Sequence, residues 1–186
     1  LNAGLGFGGG CLPKDIRAFM ARADELGVDQ AVSFLRDVEN INLRRRTRTV
    51  DLTLEVLGGS ASGAHVCVWG AAFKPDSDDV RDSPALHVAQ MLHDAGAIVT
   101  VHDPKAMENA RARHPDLGYA PTAVDAARDS DVVLHLTEWR EYRALHPLDV
   151  RKVVRTPHLV DARNALDPQM WREAGWTYRA LGRPHA

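Results

Sequence analysis

Cys11 is the residue best placed to do chemistry. It follows a glycine-rich run, GLGFGGG at 4–10, and precedes Leu12, Pro13, Lys14 and Asp15, where the pattern turns helical. Proline suits a first helical turn and Asp15 is favoured at the positive end of the macrodipole, so Cys11 is expected just before a helix N-terminus. Positive potential there favours the thiolate, Lys14 adds to it, and Cys11 becomes a candidate nucleophile. Asp15 taken alone is an ordinary first-turn acid. Cys67, inside the apolar run HVCVWG, reads as a small buried thiol. Gly4, Gly6 and Gly9 match G-x-G-x-x-G literally, but that fingerprint works only between a strand and a helix, and only three residues precede Gly4. Glycines beside a cysteine more simply let a substrate approach the backbone, with amides pointing at it.

The elements that position these groups can be read from periodicity. A helix is expected from Pro13 to Gly27, with Ile16, Phe19, Met20 and Ala23 as its apolar stripe. A second pattern runs from about Asp29 to Leu57, with Val32, Leu35, Val38 and Ile41 continued by Val50, Leu54 and Leu57. Such a helix is ~40 Å long, more than a small domain needs, and is expected to link domains or pack against a second subunit. Gly58, Gly59 and Gly63 then mark a boundary, giving a loop-and-helix region at 1–59 and a second domain at 60–186. In the second domain HVCVWG, IVTVHD, SDVVLHLT, HLVDAR and WTYRALGR read as strands, with helices over about Ser83–Ala95 and Lys105–Arg113. Strands alternating with helices predict an α/β fold with a doubly wound, mostly parallel sheet. Its ligand is expected beyond the carboxyl ends of the strands, where the loop after HVCVWG lies.

Charge narrows the function further. With 23 basic and 25 acidic residues and a net charge of −2, the chain has no general attraction to nucleic acid or anionic membranes. The basic run Arg44, Arg45, Arg46 and Arg48 reads as a solvated helix face. No apolar run approaches the ~20 residues of a membrane span. Two dissimilar cysteines form no disulfide framework, which fits a reducing, cytoplasmic compartment. The nine histidines show no metal spacing.

Two segments carry a resemblance. GFGGGCLPKD resembles the active-site segment of the UDP-glucose 6-dehydrogenases and their relatives, and GAAFKPDSDDVRDSPA resembles their nucleotide-sugar segment. The two stand in the family's order and are joined by a long helix. The resemblance implies a central dimerisation helix followed by a Rossmann-like UDP-binding domain, and oxidation of a sugar's primary alcohol to a carboxylate with two NAD. It implies that Cys11 attacks the intermediate aldehyde and that Asp15 helps activate the water that hydrolyses the resulting thioester. Leu1, Asn2, Ala3, Gly4 and Gly8 match backbone positions lining the sugar and phosphates, and Phe73 and Lys74 match the substrate-binding pair after the first strand. Lys14 and Arg81 match positions that contact NAD, and Arg163 resembles an arginine that reaches the substrate bound to a partner subunit. Gly10 and Leu12 stand where the family more often has serine and an aromatic residue; neither change removes a reacting group. The family's N-terminal NAD-binding domain, and the lysine, asparagine and threonine around its aldehyde, have no counterpart here, and a chain that starts at Leu1 reads as one entered partway through. The implied partners are UDP-glucose or a related nucleotide-sugar and a second copy of the chain. Sister enzymes acting on GDP-mannose or UDP-N-acetylmannosamine share the same motifs, and a nucleotide-binding dimerisation module without chemistry is the alternative from another class.

Overall fold

A computed structural model describes residues 4–183; Leu1, Asn2 and Ala3, expected at the sugar, lie outside the described residues. The chain opens with the glycine-rich loop and helix α1 (Leu12–Glu25), which carries proline in its first turn and Asp15 near its start. Gly27, at φ +69°, ends it. The expected helix from Asp29 is not continuous. Asp29–Val32 close a 3-10 turn, Ser33 Oγ donates back to Gln30 O at 3.0 Å, and helix α2 runs only from Phe34 to Val56. A left-handed glycine leaves the chain heading away from the α2 axis, and a tight i→i+3 turn redirects it. Within α2, Thr49 and Thr53 donate to the carbonyls of Arg45 and Thr49 at 2.9 and 2.8 Å, bonds that bend a helix.

Six parallel strands follow: β1 (His65–Trp69), β2 (Ile98–His102), β3 (Gly118–Tyr119), β4 (Val132–His135), β5 (His158–Asp161) and β6 (Thr177–Ala180). Their order across the sheet is β3-β2-β1-β4-β5-β6, so the expected doubly wound fold is present and the sheet is parallel throughout. Helix α3 (Pro84–Asp94) is capped by Ser83 Oγ, which accepts from Leu86 N at 3.3 Å. Five shorter helices, α4 (Met107–Arg113), α5 (Ala123–Ala127), α6 (Arg140–Arg143), α7 (Pro147–Arg151) and α8 (Pro168–Glu173), complete the connections. With both faces covered, Val66–Trp69 and Val132–His135 are wholly buried. The core continues into an aromatic cluster in which Trp69 stacks on Tyr142, ring centroids 5.5 Å apart, and meets Trp171 edge-on. No helix among the described residues is long and apolar enough to cross a membrane.

Candidate functional site

The strand order reverses between β1 and β4, and the loops leaving their carboxyl ends open a crevice there. On the β1 side the loop 70–83 is tied down by Asp103, just after β2. Its Oδ2 accepts from Ala71 N, Ala72 N and Trp139 Nε1 at 2.7, 2.9 and 3.1 Å, and its Oδ1 from Lys105 N and Ala106 N at 3.0 and 2.9 Å. Ser83 Oγ and Thr137 Oγ1 donate to the carbonyls of Ala71 and Ala72 at 2.6 and 2.7 Å. This frame presents Phe73 and Lys74, with Lys74 Nζ 5.4 Å from the Phe73 ring centroid. Farther along, Arg81 is gripped by Asp79, Nη2 to Oδ2 at 2.7 Å and Nε to both oxygens. In a dinucleotide fold an acid near the end of β2 reads ribose hydroxyls. Here that acid is consumed by five donors from its own chain.

On the far side Asp161, ending β5, plays the same part. Its Oδ1 accepts from His135 Nδ1 and Arg163 N, both at 2.9 Å, and its Oδ2 from Leu166 N at 2.9 Å and Tyr178 Oη at 2.7 Å. Burial works to raise this carboxyl, but the hydrogen bonds and charge of His135, with those of Leu166 and Tyr178, win and hold it below the ordinary aspartate value. The segment so anchored presents Arg163 and Asn164. Arg163 is nearly buried, and its Nε donates to Leu136 O at 2.8 Å and lies 3.3 Å from Glu138 Oε2; its Nη1 donates to Gly6 O at 3.1 Å. Its Nη2 is buried without a partner among the described residues.

The glycine loop closes the third side. Leu5 N donates to Ala162 O at 2.8 Å and Gly9 N to Arg81 O at 3.0 Å, and Phe7 N donates to Asn42 Oδ1 at 2.8 Å. Three of the loop's amides are thus spent on the protein rather than offered to a ligand as expected. The glycines serve contact within the chain: Gly9 has φ +94°, and a Cβ there would stand 2.8 Å from the Phe73 ring, while a Cβ at Gly10 would fall on the Arg81 guanidinium. Cys11 follows as the exposed N-cap of α1, with its carbonyl accepting from Asp15 N at 2.8 Å.

The result is a cleft of about 950 Å³ whose lining includes Gly8, Cys11, Phe73, Lys74, Arg81 and Arg163, six of the residues the sequence singles out. Lys14 and Asp15 do not line it; they pair with each other at 3.4 Å on the exposed side of the first turn of α1. Gly4 lines a separate hollow of about 380 Å³. Arg163 faces the cleft of its own chain. The cleft also contains Arg143, Glu138 and Asn164, which no motif marked. Its acids Asp79 and Glu138 are paired with Arg81 and Arg163, so Lys74 and Arg143 are the exposed cations there with no carboxylate partner among the described residues. Such an arrangement suits an anionic ligand that reaches the Cys11 thiol. The basic run on α2 is not all solvated. Arg46 is buried, because it shares with Asn42, Thr49, Val50 and Thr53 the side of the helix turned inward. Among the described residues no group of His, Cys, Asp or Glu could hold a metal ion.

Comparison with known proteins gives the following. Residues 67–168 match the model of the UDP-glucose/GDP-mannose dehydrogenase family, UDP binding domain, and residues 1–44 match that family's central domain. The UDP-glucose 6-dehydrogenase of Rhizobium meliloti (strain 1021) is 39% identical over 184 residues, 99% of this chain and 42% of that protein. That of Pseudomonas aeruginosa is 36% identical over 192 residues, 100% of this chain and 42% of the relative. The chain thus spans 42% of the length of these relatives. Among solved structures, a UDP-glucose dehydrogenase from Pyrobaculum islandicum superposes with a TM-score of 0.81 at 38% identity, covering 96% of this chain and 38% of that one.

Proposed function

This chain belongs to the UDP-glucose/GDP-mannose dehydrogenase family, and from that premise we propose that it is the nucleotide-sugar-binding and thiol-bearing part of an NAD-dependent UDP-glucose 6-dehydrogenase. The observation that carries the reading is the single cleft joining Cys11 to Lys74, Arg143 and Arg163 at the carboxyl ends of the strands. Residues 1–59 supply the thiol and the long helix, and residues 60–186 the nucleotide site. Lys74 and Arg143 neutralise the diphosphate, the spare Nη2 of Arg163 donates to the ligand, and the Phe73 ring lines the same pocket. Cys11 Sγ holds the aldehyde-level product as a thiohemiacetal and the acid-level product as a thioester. Asp15, one turn on and paired with Lys14 outside the cleft in this structure, turns toward Sγ to take a proton from the water that opens the thioester. NAD, when bound, supplies the oxidising capacity for both steps. Lys14 and Arg81 are exposed cations on the Cys11 side of the site and would hold its phosphates. The sheet of this chain is a poor NAD site itself, since Asp103 has no acceptor capacity left to offer a ribose.

The chain works as a homodimer in this reading. Phe19 on α1, Leu26 and Val28 just after it, and Phe34 and Ile41 on α2 are large apolar residues left exposed, and a second copy would cover them. Sedimentation as a monomer at micromolar concentration refutes that part. Calorimetric titration with UDP-glucose, GDP-mannose and UDP-N-acetylmannosamine tests the rest. Binding of UDP-glucose that weakens about tenfold in Lys74→Ala supports the proposal; preference for either competitor moves the chain to a sister activity, and binding of none overturns the site.

A further inference from the structure

Asn42 and Arg46 stand one turn apart on the buried side of α2, outside the groups that bind or react. Asn42 grips both backbone groups of Phe7: its Oδ1 accepts from Phe7 N at 2.8 Å and its Nδ2 donates to Phe7 O at 2.9 Å. Arg46 Nη2 donates to the same carbonyl at 3.2 Å. Its Nη1 donates to Asp82 Oδ1 at 3.0 Å and meets His87 Nδ1 at 3.1 Å. An arginine always donates, so Nδ1 of His87 must accept; burial first and the Arg46 charge second hold this histidine below its ordinary value, as the contact requires. A guanidinium buried like this one is costly unless its acceptors are in place, and a packed apolar side chain would fill the space at lower cost.

What the cost secures can be read from the chain. Phe7 is separated from Cys11 only by Gly8, Gly9 and Gly10, residues that impose no course of their own. The position of the thiol is therefore set by where Phe7 is pinned and by the bond from Gly9 N to Arg81 O. Arg46 ties both together, because Asp82 directly follows Arg81 at the end of the nucleotide-binding loop. We infer that Asn42 and Arg46 are positioning residues that set the register between the Cys11 loop and the Phe73–Asp82 loop, so that one nucleotide-sugar meets thiol and phosphate-binding cations together. The inference rests on reading the cleft as a nucleotide-sugar site.

The test is alkylation of Cys11 by iodoacetamide in the 186-residue chain, with and without UDP-glucose, beside calorimetric binding of UDP alone. In the unaltered chain UDP-glucose at ten times its Kd should slow alkylation about tenfold. In Asn42→Leu and Arg46→Met, UDP should still bind within about threefold, since Lys74 and Arg143 are untouched, while protection of Cys11 falls below about threefold. Arg46→Lys keeps the charge but lacks the fork that bridges separate acceptors, and should behave as Arg46→Met does. Amide exchange should quicken at Gly9 and stay slow in β1 and β4. Should Arg46→Met not fold, Asn42→Ser carries the same test. Unchanged protection in the folded variants overturns the inference and leaves the site standing; loss of protection with faster exchange throughout the sheet shows general loosening and overturns it too. No protection in the unaltered chain defeats the site reading itself, and the inference falls with it.

Discussion

On the sheet side of the cleft, Phe73, Lys74 and Arg163 ride on loops whose backbones are fastened by two buried carboxylates, Asp103 and Asp161. On the helix side, Cys11, Lys14 and Asp15 begin a helix that buries only Pro13 and Ala23 of its fourteen residues. Both sides hold charged groups, but only one is held by burial. The sheet side derives its geometry from donors and acceptors that would be orphaned if its loops moved, each such loss costing about 1–3 kcal/mol. The helix side is held at a few points by other elements: Asn42 and Arg46 on Phe7, and Arg17 of α1 reaching Glu39 at 2.5 Å and Asp82 at 3.4 Å. The candidate binding groups are fastened in place on one side, and on the other the candidate nucleophile is carried by an element that stands largely in solvent.

If that contrast holds, the two cysteines should differ most of all. Cys11 is exposed, whereas Cys67 is buried in β1 and burial pushes its thiol well up. In the native chain iodoacetamide should modify Cys11 and leave Cys67 untouched, with a rate ratio of at least ~10³ set by the opening of the sheet; comparable rates, read by mass spectrometry, would break the contrast. Next comes Asp161→Ala, which leaves His135, Tyr178 and two amides without their shared acceptor and should cost about 3–5 kcal/mol in a urea melt. A loss below 1 kcal/mol would show that the far loop is not fastened as described.

The same carboxylate gives a pH signature. Its folded value is depressed, so its contribution to stability is complete above the unfolded value of ~3.9 and is lost as pH falls through the lower folded value. Asp161→Asn should flatten the dependence of stability on pH in that acid window, read from urea melts. Lys74→Ala should weaken UDP binding about tenfold, ~1.4 kcal/mol, with stability moved by less than ~0.5 kcal/mol. Smallest of all, Lys14→Ala should alter the melt by less than ~0.5 kcal/mol, since its ion pair with Asp15 is exposed. A larger loss there would mean that the start of α1 is more firmly seated than its exposure indicates.

Much of this was legible from neighbouring residues. HVCVWG and SDVVLHLT were found as strands because a strand covered on both faces needs an unbroken apolar run, and Pro13 with Asp15 announced α1. The two-residue strand β3 left no such run, since Gly118 and Tyr119 pair with Thr100 and Val101 without a hydrophobic pattern of their own. Arg46 was hidden for the opposite reason, inside a basic stretch that looks solvated until the helix is packed. Asp103 and Asp161 look like any acids that turn at a strand end, because Ala71, Ala72 and Trp139, and His135 and Tyr178, reach them from distant parts of the chain.

Residue types in order were enough to predict the parallel α/β sheet that the structure shows, and they singled out a cysteine, a lysine and an arginine as candidate groups. Those signals are local, carried by periodicity, caps and turns within a few residues. Which groups share a cleft was decided only when the sheet closed. Arg163 meets the carbonyl of Gly6 from 157 positions away, and Phe7 meets Asn42 from 35. Hydrogen bonds of such reach do not exist until packing has brought their elements together, so no pattern along the chain records them.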